Sequence, residues 1–362
     1  MKYPIYIYSA SIALVLGMTE GLRAQSLFIA NNGSGTIGEY TTSGMPINAN
    51  LASGLNHPGG LAISGGDLFV VQAGSSTIGK YTTAGDTLNA SLISGINGGE
   101  GIAISGNNLF VANYSGGSVG EYTTSGATIA ASLIAGLNGP TGLAISGNNL
   151  FVANYDTGTI GEFTTSGATV NRNLISGLDG AFGLAISGTD LYVANWVSGT
   201  IGKYTTSGTA VNPSLITGLG LDNPTYLAIS GTDLFVANWM TGTIGEYTTS
   251  GDTINTSLIS GLDRPEGMAI EPAPEPSTIA LAVVVALLLL ASHRCKKQNL
   301  MSKPLNTGLR CPAIPQLHAA CPSLPPATVQ GRDWRAVPSA AGQLPVPLAN
   351  VGTAPAGTSQ RE

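Results

Sequence analysis

Apolar and polar positions alternate along this chain in a pattern that repeats about every 41 residues. The run LFVAN at 109–113 is apolar almost throughout, as expected of a strand covered on both faces. Gly142–Ser146 alternates instead, with Leu143 and Ile145 on one face and small residues on the other. Two further strand-like runs, 118–123 and 129–134, lie between turns rich in Gly, Asn, Ser and Thr. Each unit therefore predicts four short strands and no helix.

The period of the repeat predicts the architecture. The leucine that opens the LFVAN-type run recurs in steps of 41, 41, 41, 41 and 43 residues, at Leu27, Leu68, Leu109, Leu150, Leu191 and Leu234. Four strands in a period of about 41 residues is the size of one β-propeller blade. The repeats begin with LFIAN and end with GMAI at 267–270, so pairing these two runs would close a ring. We predict an all-β, six-bladed β-propeller over residues 25–271, closed by its C-terminal strand.

The repeat also carries a family resemblance. VANYDTGTIGEF at 152–163 and GLNGPTGLAIS at 136–146 resemble the repeats of YVTN- and NHL-type propellers, and the resemblance covers residues 27–270. It implies the fold and leaves the function open, because such propellers include enzymes, scaffolds and binding modules.

Composition narrows the possible partners. Charged residues make up 9% of the chain and the net charge is −6, with no basic patch, so we expect no nucleic-acid partner. The three cysteines, Cys295, Cys311 and Cys321, lie outside the repeats. The propeller is therefore expected to hold without disulfides or thiolate-bound metal.

The repetition breaks at the residue that enters each GLAIS-type strand, a position that lines the central opening in propellers. The predicted channel-lining residues are Gly59, Glu100, Thr141, Phe182, Thr225 and Glu266. Glu100-Gly101 and Glu266-Gly267 are similar to the metal-binding glutamate of gluconolactonase-type propellers, which makes both glutamates candidate ligands of a divalent cation. The additional ligands and the acid/base of those enzymes have no counterpart here, so no catalytic residue and no obligatory cofactor are predicted.

Three other sets of residues recur from blade to blade. Asparagines such as Asn113 and Asn154 end the LFVAN-type strands, and we expect them to bond within their own turns rather than to bind a ligand. Charged residues such as Glu39 and Lys80 occupy one repeating position, which we interpret as a solvated face. The aromatic residues that follow the asparagines are either packing between blades or a platform for carbohydrate or a partner: Tyr114, Tyr155, Trp196 and Trp239.

The N-terminal residues indicate export. Lys2 precedes an apolar run from Ile5 to Met18, and Ala24 is a small residue suited to a cleavage site. Residues 1–24 are therefore predicted to be a secretory signal peptide, with an uncleaved anchor as the alternative.

The C-terminal residues contain a second targeting pattern. A proline-rich linker at 272–278 includes Pro274, Glu275, Pro276 and Ser277. A short apolar segment at 279–292 follows, predicted to be a transmembrane helix, and then a basic membrane stop formed by Arg294, Lys296 and Lys297. These three features in this order resemble the PEP-CTERM sorting signal, which implies an exosortase-type sorting enzyme as partner. An ordinary membrane anchor is the alternative.

The C-terminal signal does not close the chain. Residues 293–362 hold the basic cluster and then a proline-rich tail, which we predict to be disordered. If the tail blocks sorting, the protein stays anchored in the membrane.

The sequence thus predicts a bacterial propeller that is exported, anchored in the inner membrane and then sorted to the cell envelope or extracellular matrix. We expect it to act as a binding or structural module, with exopolysaccharide or a surface protein as its partner. The alternative is a metal-dependent, lactonase-like hydrolase with its site in the central channel.

Overall fold

The computed structural model describes residues 25–218 and 220–271. The predicted signal peptide, sorting motif, transmembrane helix, basic cluster and tail all lie outside these residues. The described residues form 24 β-strands and a 3-10 turn at Ala73–Ser75, with no α-helix among them. None of them belongs to a helix with the length and hydropathy of a membrane span.

The strands form six four-stranded antiparallel sheets, which we number as blades 1 to 6 and describe from the innermost strand outward. Blade 1 consists of β24 (Pro265–Ile270), β1 (Ser26–Asn31), β2 (Thr36–Thr41) and β3 (Pro46–Ser53). Blade 2 consists of β4 (Pro58–Ser64), β5 (Asp67–Gln72), β6 (Thr77–Thr82) and β7 (Thr87–Ser94). Blade 3 consists of β8 (Gly99–Ser105), β9 (Asn108–Asn113), β10 (Ser118–Thr123) and β11 (Thr128–Ala135). Blade 4 consists of β12 (Pro140–Ser146), β13 (Asn149–Asn154), β14 (Thr159–Thr164) and β15 (Thr169–Ser176). Blade 5 consists of β16 (Ala181–Ser187), β17 (Asp190–Asn195), β18 (Thr200–Thr205) and β19 (Ala210–Ile216). Blade 6 consists of β20 (Pro224–Ser230), β21 (Asp233–Asn238), β22 (Thr243–Thr248) and β23 (Thr253–Ile259).

The first and last strands of the described chain close the ring. β24 pairs with β1, placing Ile270 opposite Leu27 and Ala269 opposite Phe28. Each innermost strand packs against the innermost strand of the next blade, and β24 packs against β4. The predicted six blades and their closure by the C-terminal strand are therefore confirmed. The closing strand begins at Pro265, two residues before the predicted Gly267.

The second strand of each blade supplies most of the core. In β13, Leu150, Phe151, Val152 and Ala153 have no solvent exposure, because both faces of the sheet pack on neighbouring blades. One cluster joins Phe110 of blade 3 to residues of blade 4. Each fully buried aliphatic or aromatic side chain of this kind contributes about 1.5–3 kcal/mol, so repeated inter-blade packing stabilises the ring without disulfides.

The blades approach one another most closely at the axis. A Cβ atom added to Gly101, Gly142 or Gly267 would lie 2.0–2.2 Å from a backbone carbonyl oxygen of the next blade. Gly60 and Gly183 stand at the equivalent position with the same kind of contact. Since real Cβ atoms do not approach oxygen this closely, the packing at the axis requires glycine in these five blades. Blade 6 carries Tyr226 at this position.

The repeating charged residues pair within each blade instead of forming a solvated face, which corrects that expectation. Lys80 and Lys203 bind Asp67 and Asp190 at 2.7 and 2.8 Å. Equivalent contacts join Asn108 to Glu121, Asn149 to Glu162, and Ser26 to Glu39. Blade 6 departs from this pattern, because Glu246 stands beside a second acid, Asp233. Burial and then the Asp233 charge raise the pKa of Glu246.

Asp233→Asn is expected to stabilise the protein by restoring the Asn–Glu pair of blades 3 and 4. At pH 7 the free energy of unfolding should rise by about 0.5–1 kcal/mol, the usual scale of a cross-strand pair. The pKa of Glu246 is raised in the folded state above its ordinary value of 4.5. The stabilisation that comes from its protonated carboxyl group is therefore fully present below pH 4.5 and is lost as the pH rises through the folded-state pKa. The benefit of Asp233→Asn should therefore shrink at pH 4.

Urea unfolding at pH 7 and pH 4 measures this difference. The converse substitution, Asn149→Asp, creates the same acidic pair in blade 4 and should destabilise the protein at pH 7. Equal midpoints for wild type and Asp233→Asn at pH 7 would contradict the account of blade 6.

Candidate functional site at the mouth of the central channel

The innermost strands all begin at one end of the propeller, and the second strands end there. Asn154 at the end of β13 pairs with Pro140 at the start of β12, and the other blades repeat this register. The loop that follows each second strand therefore meets the loop that precedes each innermost strand. We call this end of the propeller the channel mouth. It gathers the positions at which the blades differ in sequence.

The structure brings the two candidate glutamates together. Glu100 of blade 3 and Glu266 of blade 1 extend to each other past blade 2, and their carboxyl groups are in hydrogen-bonding contact. Blade 2 allows this approach because it carries Gly59, where a Cβ atom would lie 3.2 Å from Glu266 Oε1. The side-chain amide of Asn32 donates to Glu266 Oε2 at 2.7 Å.

The electrostatics of the pair follow from burial. Glu266 is only 7% exposed and Glu100 is half-buried. Burial raises the pKa of Glu100 and raises that of Glu266 well above 4.5, and the Glu100 charge adds to the second shift. Two carboxyl groups in contact and largely removed from water cannot both ionise readily, so we expect the pair to keep one shared proton to a higher pH than solvated glutamates would.

Tyr226 crosses the channel next to this pair. Gly101 lies in blade 3, across the channel from blade 6. The Tyr226 hydroxyl lies 3.2 Å from the position that a Cβ atom on Gly101 would occupy. The side chain is 8% exposed and its hydroxyl has no hydrogen-bond partner. Burial, and then the charges of Glu100 and Glu266, raise its pKa well above 10. The phenol is therefore neutral and unpaired beside two carboxyl groups.

Aromatic side chains form a continuous arc around blades 3 to 6. Phe182 contacts Tyr226 at 5.8 Å, Trp196 at 5.6 Å and Tyr155 at 6.2 Å between ring centroids. The arc extends through Trp196 to Trp239 at 5.4 Å and through Tyr155 to Tyr114 at 6.4 Å. We define the aromatic arc as Tyr114, Tyr155, Phe182, Trp196 and Trp239. All five rings are partly exposed, so they pack on one another and still present a surface to solvent.

Apolar and cationic groups extend the arc at blades 5 and 6. Val197 and Met240 follow the two tryptophans and are 57% and 61% exposed. The Arg264 guanidinium lies over the Trp239 ring, 5.0 Å from its centroid. Val197, Met240 and Arg264 therefore add exposed apolar surface and a cation to the arc at these blades.

The remaining part of the mouth is polar. His57 Nδ1 lies 3.2 Å from Asn32 Oδ1, and Asn32 in turn donates to Glu266. His57 has a φ of 49° and Arg264 a φ of 55°, at a turn position where blades 3, 4 and 5 use glycine. Left-handed conformations of non-glycine residues cost of order 1 kcal/mol and cluster at functional sites.

Two predicted channel-lining residues do not line the channel. Thr141 and Thr225 have no solvent exposure. The Thr141 hydroxyl donates to the Ala181 carbonyl at 3.1 Å, and the Thr225 hydroxyl donates to the Pro265 carbonyl at 3.1 Å. These side chains therefore connect one blade to the next. Glu266 instead lies next to Gly59, and Phe182 packs in the aromatic arc.

The strand-ending asparagines bond within their own hairpins. Asn113 donates to the Ser118 hydroxyl at 3.3 Å, and Asn154 donates to the Thr159 hydroxyl at 3.3 Å. The amide nitrogens therefore bond within the turns, as the sequence predicts, while Asn113 Oδ1 and Asn154 Oδ1 are buried without a hydrogen-bond partner.

The donor set suits a hard divalent cation poorly. Calcium takes six to eight oxygen ligands, and the mouth offers two carboxyl groups and the Tyr226 phenol. Asn32 turns its amide nitrogen, and not its oxygen, toward Glu266. No group of three His, Cys, Asp or Glu side chains with metal-binding geometry occurs within residues 25–218 and 220–271.

Two residues of the site were not predicted from the sequence. Tyr226 is the one departure from glycine at the third position of the innermost strands, and an alignment of the repeats on that position identifies it. Asn32 occupies in blade 1 the place of the arc aromatics, so the same alignment marks it as different.

Comparison with known proteins supports the fold. No protein-family model and no curated protein sequence matches the chain. A solved nidogen/laminin complex matches with a TM-score of 0.58 and 17% identity, over 69% of this chain and 99% of that one. A virginiamycin B lyase from Staphylococcus aureus matches with a TM-score of 0.51 and 19% identity, over 68% and 85%.

A third solved structure, of a Bacteroides fragilis protein assigned as a 6-phosphogluconolactonase, matches with a TM-score of 0.52 and 16% identity, over 70% of this chain and 99% of that one. At these identities the likeness extends to the fold alone. It agrees with the six-bladed β-propeller expected from the YVTN- and NHL-like repeats.

The buried pair predicts a loss of stability with rising pH. The pKa of Glu266 is raised in the folded state, so its contribution is fully present below 4.5 and is lost as the pH rises through the folded-state value. Glu266→Gln mimics the protonated form and should remove this loss. The free energy of unfolding of the variant should therefore exceed that of wild type by an amount that grows from pH 5 to pH 8. The difference should be larger than the extrapolation error of about 10–15% on each free energy.

Urea unfolding across this pH range measures the effect, and Glu100→Gln is the matched variant because it breaks the same pair from the other side. A wild-type free energy of unfolding that changes with pH in parallel with both variants would show that the two carboxyl groups are not coupled.

Proposed function

We propose that this protein is an exported binding module that holds an exopolysaccharide at its channel mouth. We further propose that the PEP-CTERM-like signal delivers it, through an exosortase-type enzyme, to the bacterial cell envelope or matrix. The observation that carries the binding proposal is the aromatic arc, which lies where the repeat sequence breaks and beside the channel carboxyl groups. A surface protein as the partner is the other outcome that the experiments distinguish.

The chemistry of the mouth suits a sugar polymer. A pyranose ring has apolar faces that pack on aromatic rings, and its hydroxyl groups need acceptors and donors at the edge. The arc supplies successive ring faces from Tyr114 to Trp239, and Asn32, His57 and the glutamates supply polar groups. Ligand sites commonly combine an apolar wall with a few fixed polar groups in this way.

Export and sorting are supported by the sequence at the two ends of the chain. The apolar segment before Ala24 and the ordered features from Pro274 to Lys297 lie outside the described residues. A propeller of similar fold occurs in a nidogen/laminin complex, which agrees with a role in binding a macromolecule.

The lactonase-like alternative depends on a cation at Glu100 and Glu266. Metal analysis of the purified protein distinguishes it from the binding module. A stoichiometric divalent ion that is lost in Glu100→Gln would favour the hydrolase, whereas an ion-free protein that is insensitive to a chelator would exclude a metal-dependent one.

Trp196→Ala should weaken binding to the exopolysaccharide of the native host by roughly tenfold or more, since central aromatic contacts often dominate an interface. Trp196→Phe should keep part of the affinity because it retains a ring. Leu88→Ala removes a side chain that is 53% exposed on the outer strand of blade 2 and should leave binding unchanged.

Affinity electrophoresis or calorimetry gives the dissociation constants, and thermal unfolding checks that each variant is folded. Equal affinities for Trp196→Ala and wild type would contradict binding at the arc. Capture of a surface protein in place of polysaccharide would assign the mouth to that partner.

Sorting predicts a defined C-terminus. In protein released from the native host, mass spectrometry should find the chain ending near 274–278, because the sorting enzyme processes the segment at Pro-Glu-Pro. An intact Glu362, found only in membranes, would instead indicate an anchored propeller and would refute sorting for this chain.

A further inference from the structure

The two channel glutamates leave a negative charge without a counter-ion. When Glu100 and Glu266 share one proton, the pair keeps a net negative charge in a largely buried place. Within residues 25–218 and 220–271 the ion pairs are Lys80–Asp67 and Lys203–Asp190, and neither involves this pair. A buried charge is stable when a charge of opposite sign or several hydrogen bonds compensate it. One protein donor, the Asn32 amide, is found on Glu266.

Tyr226 provides an independent sign of a missing ligand. Its side chain is more than nine-tenths buried and its hydroxyl has no partner. Buried polar groups in folded proteins are nearly always hydrogen-bonded, so an orphan hydroxyl at this depth calls for an explanation. The hydroxyl lies above Gly101, the residue that follows Glu100. The charges of Glu100 and Glu266 both act on this phenol, so the unpaired hydroxyl and the carboxyl pair lie in the same part of the channel.

The walls of this region indicate what kind of cation would fit. Phe182 packs edge-on against Tyr226 with centroids 5.8 Å apart, and Tyr114 and Tyr155 continue the wall. Aromatic faces attract organic ammonium groups and pack on the carbon skeleton that carries them. A divalent metal needs more oxygen ligands than the mouth presents. A monovalent ammonium also matches the net charge of the proton-sharing pair.

We propose that the channel mouth is a binding site for a protonated primary amine carried by an amino-sugar unit of the polysaccharide. The ammonium donates to Glu100, Glu266 and the Tyr226 oxygen, and the sugar ring packs on Phe182 and the neighbouring rings of the aromatic arc. This inference rests on the proposed polysaccharide binding and names the ligand class of that same site.

The surroundings of the carboxyl pair are consistent with this assignment. Asn32 holds Glu266 from the side of blade 1, and His57 contacts Asn32 from the side of blade 2. The Tyr114 hydroxyl donates to Asp156 at 3.0 Å, so it is already occupied. Arg264 packs on Trp239 rather than on the glutamates. The Tyr226 oxygen and the second carboxyl group are left to the ligand.

The test compares two probes on the full-length protein: a glucosamine hexasaccharide and its fully N-acetylated counterpart. The two have the same rings, but acetylation removes the charge. We expect wild type to bind the free-amine hexamer at least roughly tenfold more tightly, since a charge-assisted contact is worth about that factor. Glu266→Gln should abolish this preference, so that the two hexamers bind the variant with similar affinities.

Tyr226→Phe separates a ligand group from a structural one. The variant should lose affinity for the free-amine hexamer while its thermal stability stays the same or rises, because an unsatisfied hydroxyl has been removed. Loss of stability together with loss of binding would assign Tyr226 a packing role and would count against the site. Trp196→Ala is the control for the arc and should weaken both hexamers alike.

The outcomes separate this inference from the function on which it rests. Equal affinity of wild type for both hexamers, with both weakened in Trp196→Ala, would overturn the amine site and leave polysaccharide binding intact. Failure of both hexamers and of the host polysaccharide to bind would overturn both. Tighter binding of a lysine-rich peptide than of the glucosamine hexamer would show that the amine comes from a protein, and would also overturn the proposal.

Discussion

The close approach of the innermost strands at the axis is the constraint on which the rest of the structure depends. Six strands converge there, and the backbone carbonyl of one blade lies where a Cβ atom of the previous blade would stand. Glycine in five blades allows this contact, and burial of the second strands between blades holds it in place. The channel is consequently narrow enough for the side chain of Tyr226 to cross it. A wider ring would leave Glu100 and Glu266 too far apart to interact.

The site is formed by departures from the repeat, and each departure carries a local cost. A buried carboxyl pair, an unpaired tyrosine hydroxyl, and left-handed His57 and Arg264 are all unfavourable on their own. They occur together at one end of the propeller, whereas the opposite turns and the outer strands follow the repeat closely. Such concentration of local conflicts in an otherwise consistent fold is typical of a functional site.

The elements predicted from the sequence are those governed by repetition. Strand positions, blade number and closure by the last strand follow from the spacing of the LFVAN and GLAIS runs, because hydrophobic patterning and turn residues decide them locally. The site could be predicted in part: Glu100 and Glu266 were identified as an exception to the repeat. Their contact depends on the width of the ring, which no single repeat encodes.

The residue that enters each innermost strand was predicted to line the channel in every blade, but these side chains differ in orientation and partner. Thr141 and Glu100 occupy the same position in neighbouring blades, yet one hydroxyl binds backbone carbonyls of the next blade and the other carboxyl reaches the mouth. A short hydroxyl side chain can donate its hydrogen bond to the adjacent strand, whereas a longer carboxyl group extends past that strand.

The most direct test of the account is a carbon-13 NMR titration of the side-chain carboxyl groups of Glu100 and Glu266. The account predicts two coupled steps, with at least one well above the ordinary glutamate pKa of 4.5. Two independent titrations near 4.5 would contradict it, since the carboxyl groups would then be solvated and apart.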